Sequence, residues 1–163
     1  ETFVIPRHRI PEVGARIMDL QEPTSKMSTT APSDAGVILV LDDPDPIRTK
    51  VKRAVTDTGR EIVRDPERKP GISNLIEILA AVRDVSPQQV EAEFEGRGYG
   101  EFKQAVAEAV VEYLAPVRER YEELRPDEAG LERTLREGAD KAREIASATM
   151  RQVRAAMGVG PTP

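Results

Sequence analysis

Two long stretches of the sequence, residues 102–124 and 131–157, carry apolar side chains at alternating spacings of three and four residues. Only an α-helix turns this period into a continuous apolar face, so each stretch predicts one long helix. Asp127 is a candidate N-cap for the second helix, and Gly158 with Gly160-Pro161 would end it. Pro116 lies inside the first and should kink it. We interpret both faces as the core of a helical bundle rather than as a cofactor site.

Three shorter helices are predicted from their start signals. Asp45 followed by Pro46 suggests an N-cap and first turn, for a helix extending to about residue 55. A second helix should start at Gly71 and extend to about residue 82. Ser86 and Gln89 form a capping box for a third, to about residue 94. Aromatic residues make up only 4% of the chain, so its core must be mainly aliphatic, which favours packed helices.

The first 43 residues have a different sequence pattern: three short apolar runs, at 3–5, 15–18 and 37–41, are separated by segments that contain Pro and Gly. Their length and β-branched content predict strands or strand-like segments. Two or three short strands are marginal in water, so we expect them to pair with a sheet that this chain does not contain. The first residue is not Met and no signal peptide follows it, which suggests part of something longer.

Composition excludes several kinds of chemistry. The chain has no cysteine, which rules out disulfides, thiolate metal sites and a cysteine nucleophile. Its single histidine, His8, lies between two arginines and offers no support for a catalytic triad or a multi-histidine metal site. No apolar run approaches the roughly 18 residues that span a bilayer, and we expect a cytoplasmic protein. The net charge of −5 argues against a generally basic coat but allows a local basic patch.

Residues 14–30 form the segment with the clearest chemical potential. A strand-like stretch leads into a polar loop with one ammonium and several small hydroxyls, of the sequence Lys26-Met27-Ser28-Thr29-Thr30. Backbone N–H groups, hydroxyls and an ammonium are the donors that a phosphate chain requires. An ordinary Ser- and Thr-rich surface loop has the same composition, so composition alone does not decide between the two.

The order of these residues resembles the KMSKS signature of class I aminoacyl-tRNA synthetases. Further blocks, spread over residues 11–157, are similar to the tryptophanyl branch of that class. They are GARIMDLQEP before the loop and, after it, LDDP, VKRAVTD, KPGISNL, FEGRGYG, LAPVRERY and EGADKA. The chain is therefore identified as resembling the carboxyl-terminal half of a tryptophanyl-tRNA synthetase.

The resemblance implies a mostly α fold in two parts. Residues 1–43 would be the end of a Rossmann-type α/β catalytic domain, and residues 44–163 a helical domain that binds the tRNA anticodon region. The complete enzyme would use ATP and Mg²⁺ to activate L-tryptophan, transfer it to tRNA-Trp, and act as a homodimer. The second ATP signature of the class, HIGH, and most of the tryptophan pocket would precede Glu1. We therefore expect this chain alone not to activate tryptophan.

The resemblance also implies the site residues. Lys26 would be catalytic, stabilising pyrophosphate as it forms. The ATP-binding set would be Ile17, through its main chain, with Lys26, Met27, Ser28, Thr29 and Thr30; no metal ligand is assigned. Thr29 stands where the signature has its second lysine. A hydroxyl supplies a neutral hydrogen bond instead of a charge, so either Lys26 does most of the work on phosphate or another cation compensates.

Basic side chains cluster in two places, and we interpret both as surfaces that could face RNA. One group follows the loop and the other lies on the last predicted helix, while residues 84–128 are acidic. The groups are Arg48, Lys50, Lys52, Arg53 and Arg60, and then Arg133, Arg136, Lys141, Arg143, Arg151 and Arg154. An ordinary solvated helix face, with pairs such as Glu137 and Lys141, would account for the same clusters.

The aromatic residues and the protein class each admit more than one interpretation. Phe94, Tyr99 and Phe102 flank a Gly-rich turn, where we favour a core role over stacking on RNA bases. A stand-alone helical RNA-binding module would need no loop like residues 26–28. A tyrosyl-tRNA synthetase relative ranks third, because its residues after the loop differ from LDDP and AVTD.

Overall fold

The computed structural model describes residues 2–31 and 33–160, and it is mostly helical, which confirms the predicted fold class. Within these residues there are five α-helices and one short 3₁₀-helix, Asp34–Gly36. The α-helices are α1 (Pro44–Lys52), α2 (Pro70–Arg83), α3 (Pro87–Glu93), α4 (Tyr99–Leu124) and α5 (Glu128–Met157). Every stretch for which the sequence predicts a helix forms one.

The helix starts follow the capping signals closely. At α3 the Ser86 hydroxyl accepts from the Gln89 N–H, and the Gln89 side chain accepts from the Ser86 N–H at 2.9 Å, so the capping box is confirmed. The Asp127 carboxylate caps α5 by accepting from the Gly130 N–H at 2.9 Å. At the far end Gly158 takes the left-handed conformation with φ of 67°; the predicted stop at Pro161 lies outside the described residues.

Helix α1 begins earlier than expected. Its N-cap is Asp43 rather than Asp45, and Pro44 occupies the first turn. The helix also ends earlier, at Lys52 instead of about residue 55. The sequence offers two successive Asp-Pro pairs, and both prolines have the φ that a first helical turn requires. The Asp43 side chain makes no capping hydrogen bond, which explains why side-chain capping did not identify this start.

The predicted strands are wrong for the described residues. Residues 3–5, 15–18 and 37–41 form no strand, and the described backbone contains one isolated antiparallel bridge, between Met18 and Lys26. A strand needs a neighbour for its N–H and C=O groups, and of these three segments only residues 15–18 contribute to a bridge, at Met18. The Rossmann-type tail and the domain boundary after residue 43 therefore stay predictions.

Residues Ile10–Glu119 form one compact unit with a continuous apolar core. Helix α2 supplies its centre, since Ile72, Leu75 and Leu79 are fully buried. Its first turn lies directly on another part of the backbone: a Cβ on Gly71 would be 2.0 Å from the Val55 carbonyl oxygen. The other buried core residues are Leu20, Ile47, Val51, Ala54, Ile62, Ile76, Ile78, Ala80, Val90, Phe94, Phe102, Val106, Ala107 and Val110.

The remaining described residues, 2–9 and 120–160, belong to a second unit. Its main element, α5, has no buried residue among those described, and Leu135 and Ile145 are 73% and 72% exposed. The bundle-core interpretation of residues 131–157 is therefore wrong here, because an amphipathic stripe specifies a helix but does not supply the surface that covers it. None of the helices in the described part of the chain has the length and apolarity to cross a membrane.

Candidate functional site: the loop of residues 26–30

A short antiparallel stem holds the loop. Met18 lies opposite Lys26, the Met27 N–H donates to the Ile17 carbonyl at 3.1 Å, and the Asp19 N–H donates to the Ser25 carbonyl at 2.9 Å. Met18 and Lys26 thus form a non-hydrogen-bonded pair, the closer of the two antiparallel pair types. The geometry of Lys26 is consequently tied to that of Met18.

The base of the stem is buried and tightly hydrogen-bonded. The Asp19 carboxylate, 9% exposed, accepts from the N–H groups of Gln21 at 2.7 Å and Glu22 at 3.0 Å. Leu20 is 1% exposed; its N–H donates to the Gly36 carbonyl at 2.9 Å, and its carbonyl accepts from the Val55 N–H at 2.7 Å. The loop therefore grows from an anchored base.

The tip of the loop presents two side chains without partners of their own. Lys26 and Thr29 are exposed, and no described residue pairs with the Lys26 ammonium or the Thr29 hydroxyl. By contrast, the hydroxyls of Ser28 and Thr30 lie 3.0 Å apart, and the Thr30 N–H donates to the Ser28 hydroxyl at 3.3 Å. Met27 is half-buried and packs against the core. The loop is thus a turn closed by Ser28 and Thr30 and fixed by Met27.

Ile17, the predicted main-chain contact to adenine, lies at the other side of the stem. It is half-buried and packs against the apolar core. Its carbonyl accepts from the Met27 N–H, whereas its own N–H donates to none of the described residues. All the predicted site residues therefore lie in one stem and loop.

Helix α2 supports this stem through two residues that sequence reasoning did not identify. Asn74 accepts from the Met18 N–H and donates to the Met18 carbonyl, both at 2.8 Å. Glu77 accepts from the Gly14 N–H at 3.1 Å and from the Arg64 Nε at 2.6 Å. The only sequence signal was the position of Asn74 in the block KPGISNL, which carries the resemblance without indicating a role.

The basic group after the loop is partly neutralised within the compact unit. Arg48 makes a two-point contact with Glu108 at 2.8 and 2.9 Å, and this hydrogen bonding lowers the pKa of Glu108 below its usual range. Lys50 pairs with Asp42 at 2.7 Å. The three remaining cations are exposed and form no ion pair with any residue of the described ranges: Lys52, Arg53 and Arg60.

The basic group on α5 shows the same division. Arg136 pairs with Glu132 and Arg143 with Asp140. Lys141 does not pair with Glu137, but Glu132 and Arg136 form the kind of i,i+4 pair that a solvated helix face predicts, so both interpretations of this face stay open. Among the described residues of α5, four cations lack an ion pair: Arg133, Lys141, Arg151 and Arg154.

The aromatic residues near the Gly-rich turn belong to the core, as favoured from sequence. Phe94 and Phe102 are 2% and 0% exposed and meet edge to face, with their ring centroids 5.0 Å apart. The Tyr99 hydroxyl donates to the Asp57 carboxylate at 2.9 Å, and burial together with this carboxylate raises the pKa of the phenol. The two phenylalanine rings are therefore not accessible for stacking on a base.

No cluster of three or more His, Asp or Glu side chains able to hold a metal ion occurs in the residues that the structure describes. We assign no residue and no chemical step to the Mg²⁺ that the resemblance implies.

Comparison with known proteins points to one family. The family "tRNA synthetases class I (W and Y)" matches residues 1–115. The tryptophan–tRNA ligase 1 of Streptomyces coelicolor is 48% identical over 160 residues, which cover 98% of this chain and 47% of that protein. The chain thus spans about half the length of the curated relatives it matches.

Solved structures agree with this match. A tryptophanyl-tRNA synthetase from Mycoplasma pneumoniae superposes with a TM-score of 0.82 at 28% identity, over 92% of this chain and 45% of that one. The Campylobacter jejuni enzyme, complexed with ADP and tryptophan, gives a TM-score of 0.63 at 26% identity, over 97% and 48% of the two chains. A stand-alone RNA-binding module receives no support from any of these relatives. Since the family match covers well over half of the sequence and includes the loop, the chain belongs to the class I tRNA synthetases of the tryptophan and tyrosine group.

Proposed function

We propose that the complete protein is a tryptophan–tRNA ligase and that residues 26–30 form the loop that acts on ATP. The observation that carries this proposal is the arrangement of the loop: Lys26 follows an anchored stem, its ammonium pairs with no residue that the structure describes, and the exposed hydroxyl of Thr29 lies in the same loop. The Streptomyces coelicolor relative, 47% of whose length matches this chain, is named a tryptophan–tRNA ligase, and one related structure was solved with ADP and tryptophan.

In the proposed reaction, the tryptophan carboxylate attacks the α-phosphate of ATP, and pyrophosphate leaves with the bonding electrons. Negative charge therefore grows on the departing group. An ammonium placed beside it binds the transition state more strongly than the ground state, so it raises the rate rather than only the affinity. Lys26 has this role. The adenylate then transfers its aminoacyl group to tRNA-Trp.

The neighbouring residues have positioning and binding roles in this proposal. The free N–H of Ile17 would donate to the adenine ring, and Met27 would keep the loop attached to the core. Ser28 and Thr30 bond to each other in the present structure, so they would turn toward phosphate only after exchanging this contact. Mg²⁺ would accompany ATP and neutralise phosphate charge.

The proposal is tested by two substitutions in the complete protein. A charge-assisted hydrogen bond contributes roughly 1.5–3 kcal/mol, so Lys26→Ala should slow adenylate formation by roughly 10- to 150-fold. Thr29→Ala should have a smaller effect, because it removes one neutral donor. Neither should alter tryptophan affinity. Pre-steady-state kinetics of adenylate formation measures both rates.

Two results would contradict these roles. One is a wild-type rate for Lys26→Ala, and the other is a larger defect for Thr29→Ala than for Lys26→Ala. Because both side chains are exposed and bond to no described residue, unequal stability of the two variants should not complicate the comparison.

We also propose that the helical part contacts tRNA-Trp through its unpaired cations. Lys52, Arg53 and Arg60 are exposed without an ion pair among the described residues, so contact with a phosphate would not require breaking one. Affinity should fall with salt at a log–log slope of roughly −0.7 to −0.9 per phosphate contact.

The double variant Lys52→Ala/Arg53→Ala should weaken binding. It should also make the log–log slope less steep by the amount that corresponds to about one to two lost phosphate contacts. Arg83→Ala is the matched control, because Arg83 already pairs with Glu93 at 3.0 Å. An unchanged slope for the double variant would rule out this surface. The homodimer implied by the resemblance is likewise a proposal, which sedimentation equilibrium of the complete protein tests.

A further inference from the structure

We infer that Asn74 is a positioning residue for adenylate formation: it holds Met18, and through Met18 it fixes Lys26. This inference rests on the proposed role of Lys26. Asn74 is the only asparagine in the sequence, and its side chain is 4% exposed at the centre of α2. Its side chain lines an open cavity together with Met18, Ser73 and Glu77, and none of residues 26–30 lines that cavity. Both hydrogen bonds of its amide go to Met18, so we argue its effect on the reaction through Met18.

The Asn74 side chain makes the hydrogen bonds to Met18 that a neighbouring strand would make. Asn74 Oδ1 accepts from the Met18 N–H and Nδ2 donates to the Met18 carbonyl, both at 2.8 Å. One side-chain amide thereby satisfies both main-chain groups of one residue, as a neighbouring strand would. This pairing fixes the position of the Met18 peptide groups along the stem and their rotation about its axis.

The other side of the stem carries the reactive residue. Lys26 lies directly across the bridge from Met18, and two hydrogen bonds close the bridge. An isolated two-stranded pair of this size is marginal in water. Helix α2, by contrast, has fully buried residues on either side of Asn74, including Ile72 and Leu75. Helix α2 therefore adds a fixed support at Met18 to the anchoring of Asp19 and Leu20, and Asn74 is the residue that provides it.

The segment before Met18 is attached to the same helix. Glu77 accepts from the Gly14 N–H, and a Cβ on Gly14 would be 2.9 Å from the Cβ of Ala81. Positions 74, 77 and 81 follow the three- and four-residue spacing of one helix face. Among these three, only Asn74 contacts the residue opposite Lys26, which is why the inference concerns Asn74.

A buried asparagine could instead contribute only to stability, and the two roles predict different couplings. If Asn74 acts by positioning Lys26, removing it should matter little once Lys26 is gone, because residues acting as a unit are not additive. If it only stabilises the fold, its removal should slow the reaction by the same factor in both backgrounds.

The experiment is a double-mutant cycle on adenylate formation in the complete protein. A misplacement of about 1 Å can cost on the order of 100-fold, so Asn74→Ala should lower the rate by about tenfold or more. In the Lys26→Ala background the same substitution should lower it by less than about twofold. Hydrogen exchange should show the Met18 amide losing its protection in Asn74→Ala.

The chain offers a matched control in Ser73→Ala. Ser73 is the adjacent residue of α2 and is also 4% exposed, but its hydroxyl accepts from the Asp65 N–H at 2.8 Å and makes no hydrogen bond to Met18. Ser73→Ala should leave the rate constant within about twofold of wild type. Should Asn74→Ala fold poorly, Asn74→Asp keeps the size and the acceptor for the Met18 N–H but places an oxygen against the Met18 carbonyl. Its defect should also depend on Lys26.

The outcomes separate this inference from the proposed function. If Lys26→Ala slows the reaction but Asn74→Ala does not, or slows it equally in both backgrounds, then the positioning role is wrong and the role of Lys26 stands. If Lys26→Ala activates tryptophan at the wild-type rate, then the proposed role of the loop fails and the positioning role fails with it.

Discussion

Gly36 gives the sharpest structural test of how the loop is anchored. A Cβ at this position would lie 1.8 Å from Asp19 Oδ1, 2.2 Å from its Cγ and 2.3 Å from its Oδ2. Asp19 is buried, and Gly36 also accepts from the Leu20 N–H through its carbonyl. Neither side can move without losing hydrogen bonds, so Gly36→Ala must displace the base of the stem.

The size of the effect follows from the bonds at stake. Asp19 Oδ1 accepts from two N–H groups, those of Gln21 and Glu22, and hydrogen bonds to a charged group are worth about 1.5–3 kcal/mol each. Losing both would cost about 3–6 kcal/mol, but a displaced carboxylate regains some solvation. We therefore expect Gly36→Ala to lower the free energy of local unfolding by about 2–4 kcal/mol.

Hydrogen exchange of the Gln21 and Glu22 amides measures this local free energy. A loss of about 2–4 kcal/mol corresponds to exchange that is faster by roughly 30- to 900-fold. Gly98→Ala is the control, since a Cβ there meets no atom within 4 Å and Gly98 does not have a positive φ. If Gly36→Ala left both amides within about threefold of wild type, the packing of Asp19 against Gly36 would not be what anchors the loop.

Two further predictions concern titration. Burial and the neighbouring Asp57 raise the pKa of Tyr99, so its contribution to stability is complete below the ordinary phenol pKa of about 10 and is lost only as pH rises through the higher folded value. At about one pH unit above 10, Tyr99 should therefore still be protonated in the folded protein. Tyr99→Phe should then leave the phenolate absorbance unchanged, and a decrease in that absorbance in the variant would contradict the prediction. Arg48 lowers the pKa of Glu108, so this pair stabilises the fold above the ordinary carboxylate pKa and ceases to do so as pH falls through the folded value. Arg48→Ala should raise the Glu108 pKa in a carbon-detected NMR titration; an unchanged titration would refute the pairing.

The helices were predictable because their signals are local. The capping box at Ser86 and the N-cap at Asp127 satisfy backbone groups within three residues, so sequence alone contains both partners. The burial of Phe94 and Phe102 agrees with the core role favoured for them beside the Gly-rich turn. The start of α1 was misplaced because two Asp-Pro pairs compete and neither is decided by a side-chain bond.

The features that could not be predicted from the sequence depend on contacts between segments that are distant along the chain. The runs at 15–18 and 37–41 have strand composition, but whether a strand forms depends on a partner that composition does not reveal. The same holds for α5, whose apolar stripe is regular and yet has no buried residue among those described. Asn74 was missed for a related reason: its two hydrogen bonds reach 56 positions along the chain, and no local signal marks such a contact.

Three of the seven sequence blocks that carry the family resemblance meet at the stem of the loop. GARIMDLQEP supplies Met18 and Leu20, KPGISNL supplies Asn74 for Met18, and VKRAVTD supplies the Val55 N–H for the Leu20 carbonyl. Each block therefore provides a main-chain or amide contact that keeps the segment before Lys26 in one register. A five-residue signature cannot hold an ammonium in place by itself, because the hydrogen bonds that close its turn, from the Thr30 N–H to the Ser28 hydroxyl and from the Ala31 N–H to the Ser28 carbonyl, are local and do not include Lys26. If Lys26 acts on ATP as proposed, then α2 and the segment after α1 hold it in position through these contacts, and substitutions there should slow adenylate formation although they touch no substrate.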